Sequence, residues 1–189
     1  MREERPKRKP LRLTEYDYGQ AGVYFVTICT HGGDCIFGEI GPDQTWIPSD
    51  LGKLAEEELS QISVHRPNVT ILHSVVMPNH VHILLQIQPR GFLAGRGTTC
   101  RARLSGERNF GPLARDSLST IIGAYKAAVT RRWRQTAATT SRGPTPKPAP
   151  VWQTRYHDHV VRNDADYLRI WNYIDTNPAK WAEDQYYIP

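Results

Sequence analysis

Cysteine is scarce: Cys29, Cys35 and Cys100 are the three in 189 residues, and no two are spaced Cys-x-x-Cys. An odd count without that spacing argues against a disulfide framework and against a structural zinc site. It fits a reducing cytoplasm. No apolar run approaches the roughly 20 residues that cross a bilayer. The charged N-terminus lacks the apolar stretch of a signal peptide. There is no Gly-x-x-x-x-Gly-Lys loop, which argues against ATP-driven chemistry. Apolar residues make up 39% of the chain. That is modest, yet enough for one domain with a real core and some loop or tail.

What is present in excess is positive charge, net +5 with a pI near 9.2. Its distribution says more than its sum. Residues 1–13 hold six basic side chains, among them Arg5, Lys7, Arg8, Lys9 and Arg12, against Glu3 and Glu4. Residues 90–134 hold ten, among them Lys126, Arg131, Arg132 and Arg134, against Glu107 and Asp116. The last forty residues are slightly acidic. Charge segregated in this way suits a track for a phosphate backbone, and Tyr16, Tyr18 and Trp133 could stack on unpaired bases beside it. The plainer alternative is a solvated tail and a solvated helix face, with those aromatics covering the core.

Periodicity gives the elements. Residues 1–20 read as a basic arm ahead of a single domain over 21–189. Val23–Thr30 is rich in β-branched and aromatic residues and reads as a strand. Residues 31–50 read as loop, with a short strand near Ile36–Ile40. Leu51–His65 carries apolar residues at helical spacing, capped by Ser49 or Asp50 and stopped by Pro67. Val69–Met77 and Val81–Gln88 are strands joined by a Pro78-Asn79 turn. Residues 89–112 are a Gly- and Arg-rich loop. Leu113–Gln135 is a long helix, 136–150 a linker, Val151–Gln153 the start of a short strand, and Asn163–Asn177 a last helix closed by Pro178. This order predicts an α+β fold: a ferredoxin-like βαββαβ antiparallel sheet with helices on one face and an extra C-terminal helix.

The chemistry gathers in two places. His80 and His82 lie two apart on an apolar strand, so their imidazoles leave the same face and can chelate a divalent ion. Tyr173 and Asn177 lie four apart on the last helix and share a face. A phenol is a poor nucleophile at neutral pH unless a cation favours its anion. A bound metal would do so, and Asn177 offers a carbonyl oxygen as a third ligand. Tyr173 could equally be a core aromatic. His157 and His159, in Arg155-Tyr156-His157-Asp158-His159, compete as ligands; they could instead bind DNA, cap the last helix or be inert. His31, His65 and His73 read as structural or surface residues.

Met77-Pro78-Asn79-His80-Val81-His82, then Trp152-Gln153, His159-Val160-Val161-Arg162 and Tyr173-Ile174-Asp175-Thr176-Asn177-Pro178 resemble the single-tyrosine HUH transposases, and among them the REP-associated tyrosine transposases. Tyr24-Phe25-Val26-Thr27 is similar to that family's first strand. The likeness spans about residues 12–181. It implies that His80, His82 and Asn177 bind Mg²⁺ or Mn²⁺. It implies that Tyr173 attacks single-stranded DNA, forming a 5′-phosphotyrosine and releasing a 3′-hydroxyl, on palindromic repeats that fold into hairpins. Arg5, Lys7, Arg8, Lys9, Arg12, Lys126, Arg131, Arg132, Arg134, Arg155 and His159 are the expected DNA contacts. The protein is expected in the cytoplasm, on the nucleoid, as monomer or homodimer. An inactive hairpin-binding descendant and a histidine-based metal hydrolase are the competing functions.

Overall fold

A computed structural model describes residues 18–89, 116–140 and 149–187. Strand β1, Gly22–Cys29, sits inside a four-stranded sheet because both of its backbone edges are used. It pairs antiparallel with β5, His80–Ile87, on one side and with β6, His157–Val161, on the other. Strand β4, Val69–Met77, completes the sheet by pairing antiparallel with β5, giving the order β4-β5-β1-β6. Between β1 and β4 lie a small hairpin of β2, Gly38–Ile40, and β3, Trp46–Pro48, and then helix α1, Asp50–His65. Helix α2, Leu118–Thr140, connects β5 to β6, and helix α3, Asp164–Thr176, follows. Two strand–helix–strand crossovers therefore interleave in an antiparallel sheet, the βαββαβ plan expected from the sequence.

Alternation along the strands decides which face each helix takes. Tyr24, Val26 and Ile28 of β1 and Val81, Ile83 and Leu85 of β5 point one way, and all six are fully buried. They form one apolar cluster with Leu51, Leu59 and Ile62 of α1 and Ile121, Ile122 and Val129 of α2. Each such side chain contributes about 1.5–3 kcal/mol by leaving water. The Tyr125 hydroxyl donates to the carbonyl of Ala55 at 3.1 Å, locking α2 to α1. Gly52 is required by this closeness: a Cβ there would lie 2.0 Å from the carbonyl oxygen of Phe37. The opposite face carries Phe25, Thr27, His80, His82 and Leu84. There α3 packs Ile170 and Ile174 against Leu84.

Both capped helices start on a side chain that satisfies an otherwise free backbone donor. Ser49 Oγ accepts from the Gly52 amide at 3.1 Å, and Asn163 Oδ1 accepts from the Asp166 amide at 2.9 Å.

Three sequence expectations need correction. The last sheet strand is His157–Val161, whereas Val151–Gln153 supplies an isolated bridge from Trp152 to Thr30. Polar His-Asp-His masks a strand whose register against β1 buries Val160 and Val161 partially on opposite faces, and β propensity yields to such context. Helix α2 begins at Leu118 and runs to Thr140, five residues into the expected linker. Tyr18, placed in the arm, packs on the main core instead, and its ring lies 6.3 Å from that of Tyr24. Residues 1–17 of the arm, Tyr16 among them, residues 90–112 of the 89–112 loop and residues 141–148 lie outside the described residues.

Candidate active site

Because His80 and His82 face α3 from a central strand, their rings are desolvated: 0% and 1% exposed. Burial lowers the His80 pKa to about 4, with the nearby Asp184 charge acting against that shift. Burial also drives His82 well below its ordinary value, helped by His80. Both imidazoles are therefore neutral at physiological pH, the form that binds metals. Each Nδ1 is already held. His82 Nδ1 lies 2.9 Å from Thr27 Oγ1, and His80 Nδ1 lies 2.9 Å from Asn79 Oδ1. Asn79 is fixed in turn, its Nδ2 donating to the carbonyls of Gly33 at 3.0 Å and Tyr186 at 2.7 Å. This leaves the two Nε2 atoms aimed at one point, 2.9 Å apart. Outer hydrogen bonds that fix the ring and expose one nitrogen are what a metal-binding histidine needs.

Helix α3 brings Tyr173 and Asn177 to the same point. The Tyr173 ring meets His82 edge-on at 5.1 Å and Phe25 at 6.1 Å. Sequence reasoning missed the group at the centre, Asp184, which follows the short 3₁₀ segment Pro178–Glu183. Its Oδ2 accepts from the Tyr173 hydroxyl at 3.1 Å and from Asn177 Nδ2 at 2.8 Å, and its Oδ1 accepts from the Tyr186 amide at 2.7 Å. His80, His82 and Asp184 offer ligand atoms all within 4.8 Å of one another. Asn177 is buried, and its Oδ1 has no hydrogen-bond partner. Two neutral imidazoles and a carboxylate grouped this closely, next to a buried amide whose oxygen has no hydrogen-bond partner, suit a divalent cation. Asp184 left no motif in the sequence; a carboxylate seven residues past Asn177, among Trp181, Tyr186 and Tyr187, was the available hint.

Without a cation this arrangement restrains the phenol. Burial raises the Tyr173 pKa first, and the Asp184 charge and hydrogen bond raise it further. Tyr186, whose ring lies 4.7 Å from that of His80, is pushed up to about 12 by burial. Cys29 is pushed up to about 11, chiefly by burial and then by Asp184, so it stays a thiol rather than a thiolate ligand.

A cleft of about 420 Å³ opens over Tyr173, lined among others by Thr27, His82, His159, Arg169 and Asp184. His159 thus joins the cleft, while His157 is exposed on β6 opposite Thr27. His73 is structural, stacked on Trp171 at 4.4 Å. The expected DNA contacts on α2 lie elsewhere. Lys126, Arg131 and Arg134 line a separate cavity of about 630 Å³ with Trp152, on the helix that covers the other face of the sheet. Lys126 Nζ donates to the carbonyls of Gln153 and Thr154. Arg132 is committed to α1, through Glu57 at 2.8 Å and Glu58 at 2.9 Å. Arg155 is exposed just before β6. Arg5, Lys7, Arg8, Lys9 and Arg12 lie outside the described residues. No helix among the described residues is long and apolar enough to cross a membrane.

Fold and site together define an α+β protein with a His-His-Asp cluster, its histidines buried and its aspartate half-buried, able to hold a metal ion. Its fold is that of a solved REP-associated tyrosine transposase bound to a REP hairpin, matched at TM-score 0.53 and 18% identity over 94% of this chain and 77% of that one. The resemblance read from the sequence therefore holds at the level of the fold. No family model matches the chain. It is 32% identical over 185 residues to an uncharacterised protein of Haemophilus influenzae, covering 96% of this chain and 93% of that protein. The chain belongs to the family of that Haemophilus protein.

Proposed function

We propose that the protein is a metal-dependent single-stranded DNA endonuclease and strand transferase. It would act on hairpin-forming palindromic repeats through a 5′-phosphotyrosine at Tyr173. The observation that carries this reading is the convergence of the Tyr173 hydroxyl, two neutral imidazoles and the Asn177 amide, whose oxygen has no partner, around Asp184.

His80, His82, Asp184 and Asn177 would hold Mg²⁺ or Mn²⁺, which would supply charge to polarise the phosphate and favour the phenolate. Asp184 does two further things. It holds the Asn177 amide through Nδ2, leaving Oδ1 free, and it accepts the hydrogen bond of the Tyr173 hydroxyl, so it is placed to take that proton. The Tyr173 oxygen bonds to phosphorus as the bond to the 3′ oxygen breaks. That oxygen takes up a proton and leaves as a hydroxyl. One phosphodiester replaces another, so rejoining is the reverse step and needs no nucleotide triphosphate. The rigid strand β5 keeps the imidazoles in place while the cleft over the half-buried Tyr173 would accept an unpaired strand. Residues 1–20 and the α2 cations Lys126, Arg131 and Arg134, with Arg155, would carry the hairpin backbone. Work on DNA would place the protein in the cytoplasm, on the nucleoid.

The test is trapping. Incubation with single-stranded oligonucleotides bearing hairpins from the source genome's own repeats, with Mn²⁺, is expected to give a covalent protein–DNA adduct by mass spectrometry. Tyr173→Phe abolishes it. An adduct formed equally by the Phe variant refutes Tyr173 as nucleophile. Tight hairpin binding without any adduct, across Mg²⁺ and Mn²⁺, would make the protein a silent binder.

A further inference from the structure

We infer that Arg169 is a second substrate-binding residue of the cleft, gripping the phosphate next to Tyr173, with Asp166 and His159 as the pair that positions it. This rests on the reading of Tyr173 as the attacking group.

Arg169 and Tyr173 are four apart on α3, so their side chains leave the same face of the helix, and both line the cleft. The other charged lining groups are Glu183 and Asp184, with His159 titratable. Among the described residues that line the cleft, Arg169 is therefore the one permanent cation. A phosphodiester entering beside two carboxylates needs fixed positive charge that does not titrate, and a guanidinium supplies it.

The arginine is held, not loose. Its Nη2 donates to Asp166 Oδ1 at 2.6 Å. The other carboxylate oxygen, Oδ2, lies 2.6 Å from His159 Nε2 on β6. The Asp166 amide is in turn bound by Asn163. The Asp166 pKa is lowered, first by the His159 hydrogen bond and then by that of Arg169, so the carboxylate stays charged between them. A surface arginine paired to a carboxylate three residues earlier usually only decorates a helix. Here the carboxylate is shared with an adjacent strand, which ties helix to sheet edge and sets where the guanidinium stands. Its side chain remains 67% exposed, and one Nη atom is engaged, so the remaining donors are available to a phosphate.

Two readouts test this. The first is binding of fluorescein-labelled octathymidylate to the full chain in Mn²⁺, across a salt series. Arg169→Gln is expected to weaken binding about tenfold and to lower the log–log salt slope by about 0.7, one single-strand phosphate contact. Arg169→Lys keeps the slope but loses part of the affinity, because the fork is gone. Asp166→Asn also weakens binding by freeing the guanidinium, while Lys53→Gln on α1 matches the parent. The second readout is the single-turnover rate of adduct formation on hairpin DNA, which Arg169→Gln slows about 100-fold at saturating DNA. If the parent forms the adduct and Arg169→Gln matches it in affinity, slope and rate, the clamp is refuted and the nuclease stands. If Arg169→Gln loses affinity and slope but the parent forms no adduct, the clamp stands and the nuclease reading falls.

Discussion

The two faces of strand β5 divide the labour of this molecule. Val81, Ile83 and Leu85 point into a cluster supplied by both crossover helices, where every side chain is apolar or, like Tyr125, satisfied. His80 and His82 point the other way, into a layer where α3 buries Ile170 and Ile174 on Leu84, with partly buried side chains such as Phe25 and Trp171 around them, and where the polar groups of the site gather. One face stabilises the sheet. The other spends that rigidity on holding desolvated imidazoles, a buried amide oxygen and a phenol that a merely stable protein would not keep. Neighbouring residues on one strand thus have unlike jobs, which makes the contrast directly testable.

Paired substitutions give the largest effect. Ile83→Ala is expected to cost about 3 kcal/mol and lower Tm by about 10 °C, because it opens a cavity in a close-packed layer. Manganese affinity of the folded protein, read by electron paramagnetic resonance titration, should hardly change. His82→Gln should do the reverse. Mn²⁺ affinity falls by about 100-fold, equivalent to roughly 2.7 kcal/mol, while Tm shifts by a few degrees at most. Loss of metal binding in Ile83→Ala at a temperature where it is folded would erase the division between the faces.

Legibility in the sequence followed the same division. The apolar face announces itself, since Val81, Ile83 and Leu85 alternate and Leu54, Leu59 and Ile62 recur at helical spacing. The histidine pair and the Tyr173–Asn177 spacing were visible as well, because short-range geometry fixes which side chains share a face. What stayed hidden depends on contacts distant in sequence. Asp184 belongs to the site only because the segment after α3 folds back so that Tyr186 reaches Asn79, 107 residues away. Nothing in the sequence singled out Arg169; its setting depends on β6, which places His159 on the other side of Asp166. Strand β6 itself was obscured by its polar residues, and the cap at Asn163 was placed within the helix it precedes.

Acid should sharpen the contrast further. In the folded protein burial holds the His80 pKa to about 4, against an ordinary value of 6.5, and shifts His82 the same way. As pH falls below about 6.5 the unfolded chain takes up protons that the folded chain refuses, so stability is lost from there down toward 4. Each histidine contributes at most about 1.4 kcal/mol per pH unit over that window. Urea unfolding of EDTA-treated protein should therefore weaken on acidification, with the double variant His80→Gln, His82→Gln showing a flatter acid limb. Equal acid slopes in parent and variant would mean that those imidazoles are not buried uncharged.

The smallest expected effect separates the helices that serve the two faces. Ser49 and Asn163 make the same kind of cap, and loss of either costs about 1 kcal/mol. They should differ in how that cost is felt. Helix α1 buries Leu51, Leu54, Ala55, Leu59 and Ile62 in the main core, so it cannot open alone. Ser49→Ala then lowers global stability, and amide exchange quickens in all core strands together. Helix α3 buries two residues, Ile170 and Ile174, and can detach while the sheet and its main core persist. Asn163→Ala should speed exchange of α3 amides about fivefold and leave those of β1 and β5 unchanged. That local loosening would also carry Tyr173 away from the imidazoles for a larger fraction of the time, so adduct formation should slow although Mn²⁺ still finds His80 and His82. If exchange in β5 rises in step with α3, the tyrosine helix is part of the main cooperative unit, and the two faces of the sheet do not act separately.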